Sequence, residues 1–307
     1  FKKKNIIFHI FFYYCYEYLK ILNPNSEKLI MYSELQPEVN FNSLSEQNVE
    51  ISKNDNIKGQ NLLNKMNIEE PFICIHNRDD KFNEQIVNDK NFHDYRNYDI
   101  SSMRKTINYF LQKKINVIRI GKKAKDLDDF SHKNFYSLIN DYHDPFLDVF
   151  LISRSQFVIT CTSGIADLAR LFRKKTLIVN KFPLTVRDIS GRSSESIFKP
   201  KKIFDKKKNN FLKISECFNL DYDIHYNGKY LKDKNLDLVD NTDEEILSAA
   251  KEMFLKLKGK FKYDVNQEKL NQNFLESMKS VNHYINLSKK IDFNISIKFL
   301  EKNQDLI

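Results

Sequence analysis

Short runs of apolar residues alternate with amphipathic stretches of about ten residues through the middle of this chain, and each run predicts an element. Phe72-Ile73-Cys74-Ile75 is brief, follows Pro71 and consists of strand formers, which predicts an interior strand of an α/β sheet. Met103, Ile107, Phe110 and Leu111 fall on one helical face, with Asp99 or Ser101 as the cap and Lys113 and Lys114 at the end. Val117 to Gly121 is the next strand, and Phe135 to Ile139 another. Asp144-Pro145 supplies an N-cap and first-turn proline for a helix carrying Phe146, Leu147, Phe150 and Leu151. The pattern then repeats as strand 156–160, tight turn 161–164, helix 165–173 and strand 176–180.

Such alternation indicates a parallel sheet with right-handed crossovers, a Rossmann-like α/β layer structure. The flanks read differently. From Glu38 to Glu70 the composition is polar, as expected of a connecting region. After Pro183 the regularity breaks down, and residues 199–208 hold six lysines in ten positions. That run is expected to be a solvated, mobile loop, with contact to anionic lipid or a polyphosphate as the alternative. Asp240-Asn241-Thr242-Asp243-Glu244-Glu245 then caps a helix whose Ile246, Leu247, Ala250 and Phe254 share a face. Three regions are expected: a partial N-terminal domain and linker over 1–70, the Rossmann-like domain over 71–261, and an amphipathic helical segment over 262–307 folding back on the body.

At 307 residues, 41% hydrophobic and 30% charged, the chain can bury a large core. The net charge of +9 admits an anionic partner. None of the zinc-finger, helix-turn-helix or RNA-recognition signatures occurs, so nucleotide phosphate is a more economical expectation than nucleic acid. Cysteines 15, 74, 161 and 217 are far apart and suggest neither a disulfide framework nor a zinc site, which points to a reducing, cytoplasmic compartment. Lys2, Lys3 and Lys4 precede an apolar stretch from Ile6 to Tyr16 that is too short for the roughly 20 residues of a spanning helix. Its basic and aromatic character could give peripheral contact with the inner membrane surface, the other reading being an ordinary packed element. Opening on Phe1 rather than Met, the chain is expected to lack its true beginning.

Candidate chemistry gathers where the predicted strands end. His76, Arg78 and Asp79 follow the first strand, where ligands of open α/β sheets bind. Thr162-Ser163-Gly164 opens a helix, whose N-terminus offers amide donors and partial positive charge to phosphate; a plain capping role for Thr162 or Ser163 is the competing reading. Arg78, Arg96 and Arg119 suit a diphosphate because a planar guanidinium donates two parallel hydrogen bonds, whereas ion pairs with Asp79, Asp94 or Asp99 would explain them otherwise. His76 and His93 are candidates for proton transfer, and Asp79 for a general base. The chain lacks a Walker lysine loop, a Gly-x-Gly-x-x-Gly, a Gly-x-Ser-x-Gly elbow and a zinc-protease motif.

Cys-Ile-His-Asn-Arg-Asp (74–79), His-Asp-Tyr-Arg-Asn-Tyr-Asp-Ile (93–100), Val-Ile-Arg-Ile-Gly (117–121), Thr-Ser-Gly (162–164) and Asp-Asn-Thr-Asp-Glu-Glu-Ile (240–246) together resemble a bacterial glycosyltransferase family associated with surface polysaccharides. The resemblance runs from residue 71 to the closing Phe-Leu-Glu-Lys-Asn. It implies a GT-B architecture, two Rossmann-like domains facing a cleft, with the donor held mainly by the C-terminal one and the N-terminal one here reduced. More distantly, His76-x-Arg78 looks like the His-x-Arg element of GDP-fucose fucosyltransferases, though Asp79 stands where those usually carry a second arginine.

The function this implies is transfer of a sugar from a nucleoside diphosphate donor, GDP being one candidate nucleotide, to a saccharide acceptor, without metal or other cofactor. Asp79, His76 and His93 are then the catalytic candidates. Arg78, Tyr95, Arg96, Asn97, Arg119, Gly121, Thr162, Ser163 and Gly164 are the donor-binding ones. A non-catalytic nucleotide-binding module of a polysaccharide system, or a nucleotide-sugar epimerase or hydrolase, would use the same crevice.

Overall fold

The computed structural model describes residues 49–82, 84, 93–140, 143–184, 196–220, 229–279 and 294–307. The apolar stretch 6–16 lies outside the described residues. Six strands form one parallel sheet: β1 (Phe72–Ile75), β2 (Asn116–Arg119), β3 (Phe135–Ser137), β4 (Val158–Thr160), β5 (Thr176–Lys181) and β6 (Ile197–Pro200), in the order β3-β2-β1-β4-β5-β6. That is the winding of a Rossmann fold, as the alternating pattern predicts.

The period of two within β1 sorts its side chains onto two cores. Ile73 and Ile75 join Val117, Ile159 and Leu177 on one face, under α2 (Arg104–Gln112) and α5 (Asp243–Leu257). Phe72 and Cys74 join Ile118 and Val158 on the other, under α1 (Lys53–Lys65), α3 (Pro145–Arg154) and α4 (Gly164–Leu171). The caps follow the sequence: Asp144 accepts from the Phe146 N–H at 2.8 Å, and Thr242 with Glu245 forms a capping box. Asp99 caps one turn of 3-10 helix (Ile100–Met103) ahead of α2.

Two segments differ from expectation. Within the polar connecting region, Lys53–Lys65 is a helix that packs on α3. Its buried seam is only Gly59 and Leu63, too sparse to stand out as an apolar face. A Cβ at Gly59 would stand 2.4 Å from ring carbons of Phe150, so glycine is what lets the helices approach. The lysine run is likewise ordered structure: β6 is followed directly by β7 (Lys202–Asp205), which pairs antiparallel with β8 (Asn210–Phe211) and β9 (Leu236–Val239). Lys199 and Lys201 are 1% and 3% exposed. Lys199 sits over the Phe299 ring, and Lys201 meets Asp240 at 2.7 Å. Only Lys206, Lys207 and Lys208 stand in solvent, at the hairpin tip.

Beside this small sheet a further core joins Ile203, Leu212 and Phe218 to Phe274 and Met278 of α6 (Val265–Met278) and Phe299 and Leu300 of α7 (Ile297–Lys302). Residues 294–296 cover the β6 edge, with the Phe198 N–H donating to the Asn294 carbonyl and the Ser296 N–H to that of Phe198. Glu252 of α5 holds this return by accepting from the Ser296 hydroxyl and the Ile297 N–H.

Candidate functional site

The winding of the sheet reverses between β1 and β4, the point at which carboxyl ends of strands open a crevice. His76 leaves β1 there, and Cys161-Thr162-Ser163 leave β4. The two segments touch: His76 Nδ1 lies 3.0 Å from Thr160 Oγ1 and 3.5 Å from Ser163 Oγ, and the His76 N–H donates to the Ile159 carbonyl at 2.9 Å. From behind, the Tyr98 hydroxyl donates to the His76 carbonyl at 3.0 Å.

Ser163 does not cap α4 with its side chain; its hydroxyl bonds to the Cys161 carbonyl and to Thr160 Oγ1 instead. Gly164 is exposed, and a Cβ built on it would meet nothing within 4 Å. The helix therefore begins uncapped by Ser163 and opens onto space, an arrangement suited to an anion. Thr162 Oγ1 accepts from Lys181 Nζ at 3.4 Å.

Arg78 stands beside this helix start. Burial pushes the Cys161 thiol up to about 11, opposed by the Arg78 backbone amide and guanidinium. The charges of Arg78 and Arg96 feel each other, since Arg96 is the largest influence after burial that lowers Arg78. Arg96 Cζ lies 5.5 Å from the Tyr95 ring centroid, and Tyr95 packs edge-on against Phe182. Arg96 Nε and Asn97 Oδ1 are buried with no hydrogen-bond partner among the described residues. Arg78 thus lies beside the residue that leads into α4, and the charge of Arg96 acts on Arg78.

Arg119 and Asp79 stand elsewhere than expected. Arg119 has no exposed surface, and its Nη2 donates to Asn77 Oδ1 at 3.0 Å and to the Lys125 carbonyl at 2.5 Å. It lies beneath the rim because β2 is buried along its length. Asp79 is 5% exposed, and its oxygens accept from the backbone N–H groups of Lys81 (3.1 Å) and Lys125 (2.8 Å). A carboxylate held this way ties two strand-end loops together. Gly121 has φ 113°, and its missing Cβ admits the His76 ring.

Both histidines near the arginines are neutral at ordinary pH. Burial, then Arg119 and Arg78, lowers His76 to about 3. Burial, then Arg96 and Arg78, lowers His93 to about 4. Its Nδ1 contacts the Tyr95 hydroxyl. Between the ordinary 6.5 and these values the unfolded chain binds more protons than the folded one. Stability is therefore full above about pH 6.5 and falls as pH drops toward 4. Thermal unfolding at pH 7 and pH 4.5 is expected to show the lower midpoint at 4.5. Nuclear magnetic resonance should show His93 titrating higher in Arg96→Ala; an unmoved titration would contradict the arginine's part.

No protein-family model matches the chain, and no curated protein matches it. Among solved structures it is similar to the dodecameric iron-containing heptosyltransferase TibC, crystallised with ADP-D-β-D-heptose. Identity is 19%, the match covers 38% of this chain and 29% of that one, and the TM-score is 0.26. The fold assignment therefore rests on strand order and register.

Sequence reasoning passed over several residues at the rim. Lys181 ends β5 fully buried, and Lys201 Nζ donates to the Asn97 carbonyl at 2.8 Å. The position of Lys181 directly after a predicted strand was the available signal. His143 Nε2 lies 3.0 Å from Asp148 Oδ2, and Asp148 Oδ1 accepts from the Gly121 N–H, fixing the loop under His76. Burial raises Asp148, opposed by His143. Among the described residues, no three His, Cys, Asp or Glu side chains gather as metal ligands, and no helix is long and apolar enough to cross a membrane.

Proposed function

We propose that this chain binds a nucleoside diphosphate sugar at the β1/β4 crevice and transfers its sugar to a saccharide acceptor. The support for the reading is the switch point of the sheet, where the open start of α4 follows Cys161, with the Arg78 backbone and charge acting on Cys161 and the Arg96 charge acting on Arg78. The motif resemblance supports the choice of glycosyl transfer over other nucleotide chemistry.

In such a reaction the acceptor oxygen bonds to the anomeric carbon, and the bond from that carbon to the phosphate oxygen breaks. Its electron pair leaves with the diphosphate, and the acceptor proton passes to a base. Guanidinium groups and helix amides stabilise the departing charge because they are fixed before it develops. His76 and His93 are the imidazoles on this rim. Burial is the first cause that depresses both; a bound diphosphate would offset the Arg78 charge that adds to it at both and the Arg96 charge that adds to it at His93, so their basicity rises with donor present.

Scanning fluorimetry with GDP, UDP, ADP and CMP tests nucleotide binding, and donor turnover with and without a saccharide acceptor tests transfer. Saturation near 100 Kd should raise the midpoint by roughly 4 °C. No shift with any nucleotide would remove the reading. Binding without turnover would leave a nucleotide-binding module, and turnover without acceptor a hydrolase.

A further inference from the structure

One histidine at the carboxyl edge of the sheet is built differently from the two that stand near arginines. We propose that His143, oriented by Asp148, is the base that takes the acceptor proton; this deepens the transferase reading above and rests on it.

The pair is held at both ends. His143 Nε2 lies 3.0 Å from Asp148 Oδ2, and the other oxygen, Oδ1, accepts from the Gly121 N–H at 3.3 Å. Asp148 is carried by the first turn of α3, and His143 by the loop that joins β3 to that helix. The loop is fixed in turn: the Asn140 side chain accepts from the Ala124 N–H and donates to its carbonyl, and the His143 N–H donates to the Asn140 carbonyl. An ionised carboxylate only accepts, so the proton of the neutral ring sits on Nε2 and the lone pair on Nδ1. Nδ1 bonds to no described residue, and the side chain keeps 10% of its surface exposed. An imidazole whose N–H is pinned by a carboxylate and whose second nitrogen is open is set to receive a proton.

Its place suits the reaction. The His76 ring stands between the start of α4 and this pair: Nδ1 faces Thr160 and Ser163, while a Cβ on Gly121 would lie 2.7 Å from Cδ2 on the other side. The ends of β4 and β2 are two strand spacings apart, about 10 Å. From a helix amide through a phosphate and the anomeric carbon to an acceptor oxygen and its base is also roughly 10 Å, each non-bonded step being about 3 Å. Burial and the arginines hold His76 and His93 at about 3 and about 4, which makes them weak proton acceptors, whereas His143 pairs with a carboxylate. In the step, the acceptor hydroxyl gives its proton to His143 Nδ1 as its oxygen bonds to the anomeric carbon. The bond from that carbon to the phosphate oxygen breaks, and its electron pair leaves with the diphosphate. Asp148 stabilises the imidazolium without taking the proton.

Two variants separate a base from a scaffold. His143→Gln removes the imidazole. Asp148→Asn keeps the shape and an oxygen for the Gly121 N–H, but presents an amide N–H to Nε2 and so moves the ring proton onto Nδ1. With UDP-glucose and GDP-mannose as donors and lactose as acceptor, both variants should lose roughly 100-fold or more in kcat, with calorimetric affinity for UDP and GDP unchanged. Imidazole added to His143→Ala should restore part of the rate, which a scaffold role would not allow. Wild-type kcat in His143→Gln overturns the proposal, as does a joint loss of rate and nucleotide affinity that imidazole does not rescue.

Should the wild-type chain bind neither UDP nor GDP, the transferase reading fails by itself. The pair is then judged, as it is if neither donor turns over, by nitrogen-15 magnetic resonance of His143 and by its modification with diethyl pyrocarbonate, read by mass spectrometry. A bare Nδ1 that reacts in wild type and resists in Asp148→Asn supports a base built at this edge. A proton on Nδ1, or an unmodified His143, overturns it.

Discussion

Arg78→Ala is expected to weaken nucleoside diphosphate binding by roughly 10- to 150-fold, the loss of a charged hydrogen-bonding group worth about 1.5–3 kcal/mol. The residue is half-buried beside the start of α4, and the neighbouring charge of Arg96 already opposes its own. Removing it relieves that repulsion, so folding stability should change by no more than about 1 kcal/mol. Arg78→Lys keeps the charge without the planar fork and should fall between wild type and alanine. Calorimetric titration of wild type and both variants, with urea unfolding alongside, checks the expectation. Unchanged affinity, or a stability loss of several kcal/mol, would instead make Arg78 a structural ion-pair partner.

A second substitution should damage fold and site together. Gly121 sits at φ 113°, where a side chain is strained, and a Cβ there would lie 2.7 Å from His76 Cδ2. Backbone strain and overpacking each cost about 1–3 kcal/mol, so Gly121→Ala should lose about 2–6 kcal/mol. The His76 ring must move to relieve the contact, which disturbs its contacts with Thr160 and Ser163. Nucleotide affinity should therefore drop as well. Adding His76→Ala should recover part of the stability, because the colliding ring is gone, but none of the site geometry. An unaltered urea midpoint in Gly121→Ala would contradict the close approach.

Much of the sheet was legible because its strands are short apolar runs and its helices repeat an apolar face. Phe72–Ile75 is the strand that its composition predicts, and Asp144, Asp99 and Thr242 cap where residue type and spacing place them. The helix Lys53–Lys65 was illegible because its contact seam includes a glycine, which no hydrophobic pattern marks. Lys199 and Lys201 read as solvent residues by type. Burying their stems against Phe299 and beside Asp240 depends on strands distant in sequence.

Within the site, strand ends point to His76, Arg78 and the Thr162-Ser163-Gly164 turn, but not to which polar groups face inward. Arg119 and Asp79 are as polar as their neighbours, yet one lies under the floor and the other is tied to backbone amides. The contact between His76 and Thr160 spans 84 positions, and only the sheet order creates it.

The most direct measurement is a crystal structure of the chain bound to a nucleoside diphosphate. Diphosphate oxygens are expected within hydrogen-bond distance, about 3 Å, of the Arg78 and Arg96 guanidinium groups and of the first amides of α4. A nucleotide seated away from the β1/β4 crevice, with either arginine turned from its phosphates, would contradict the account.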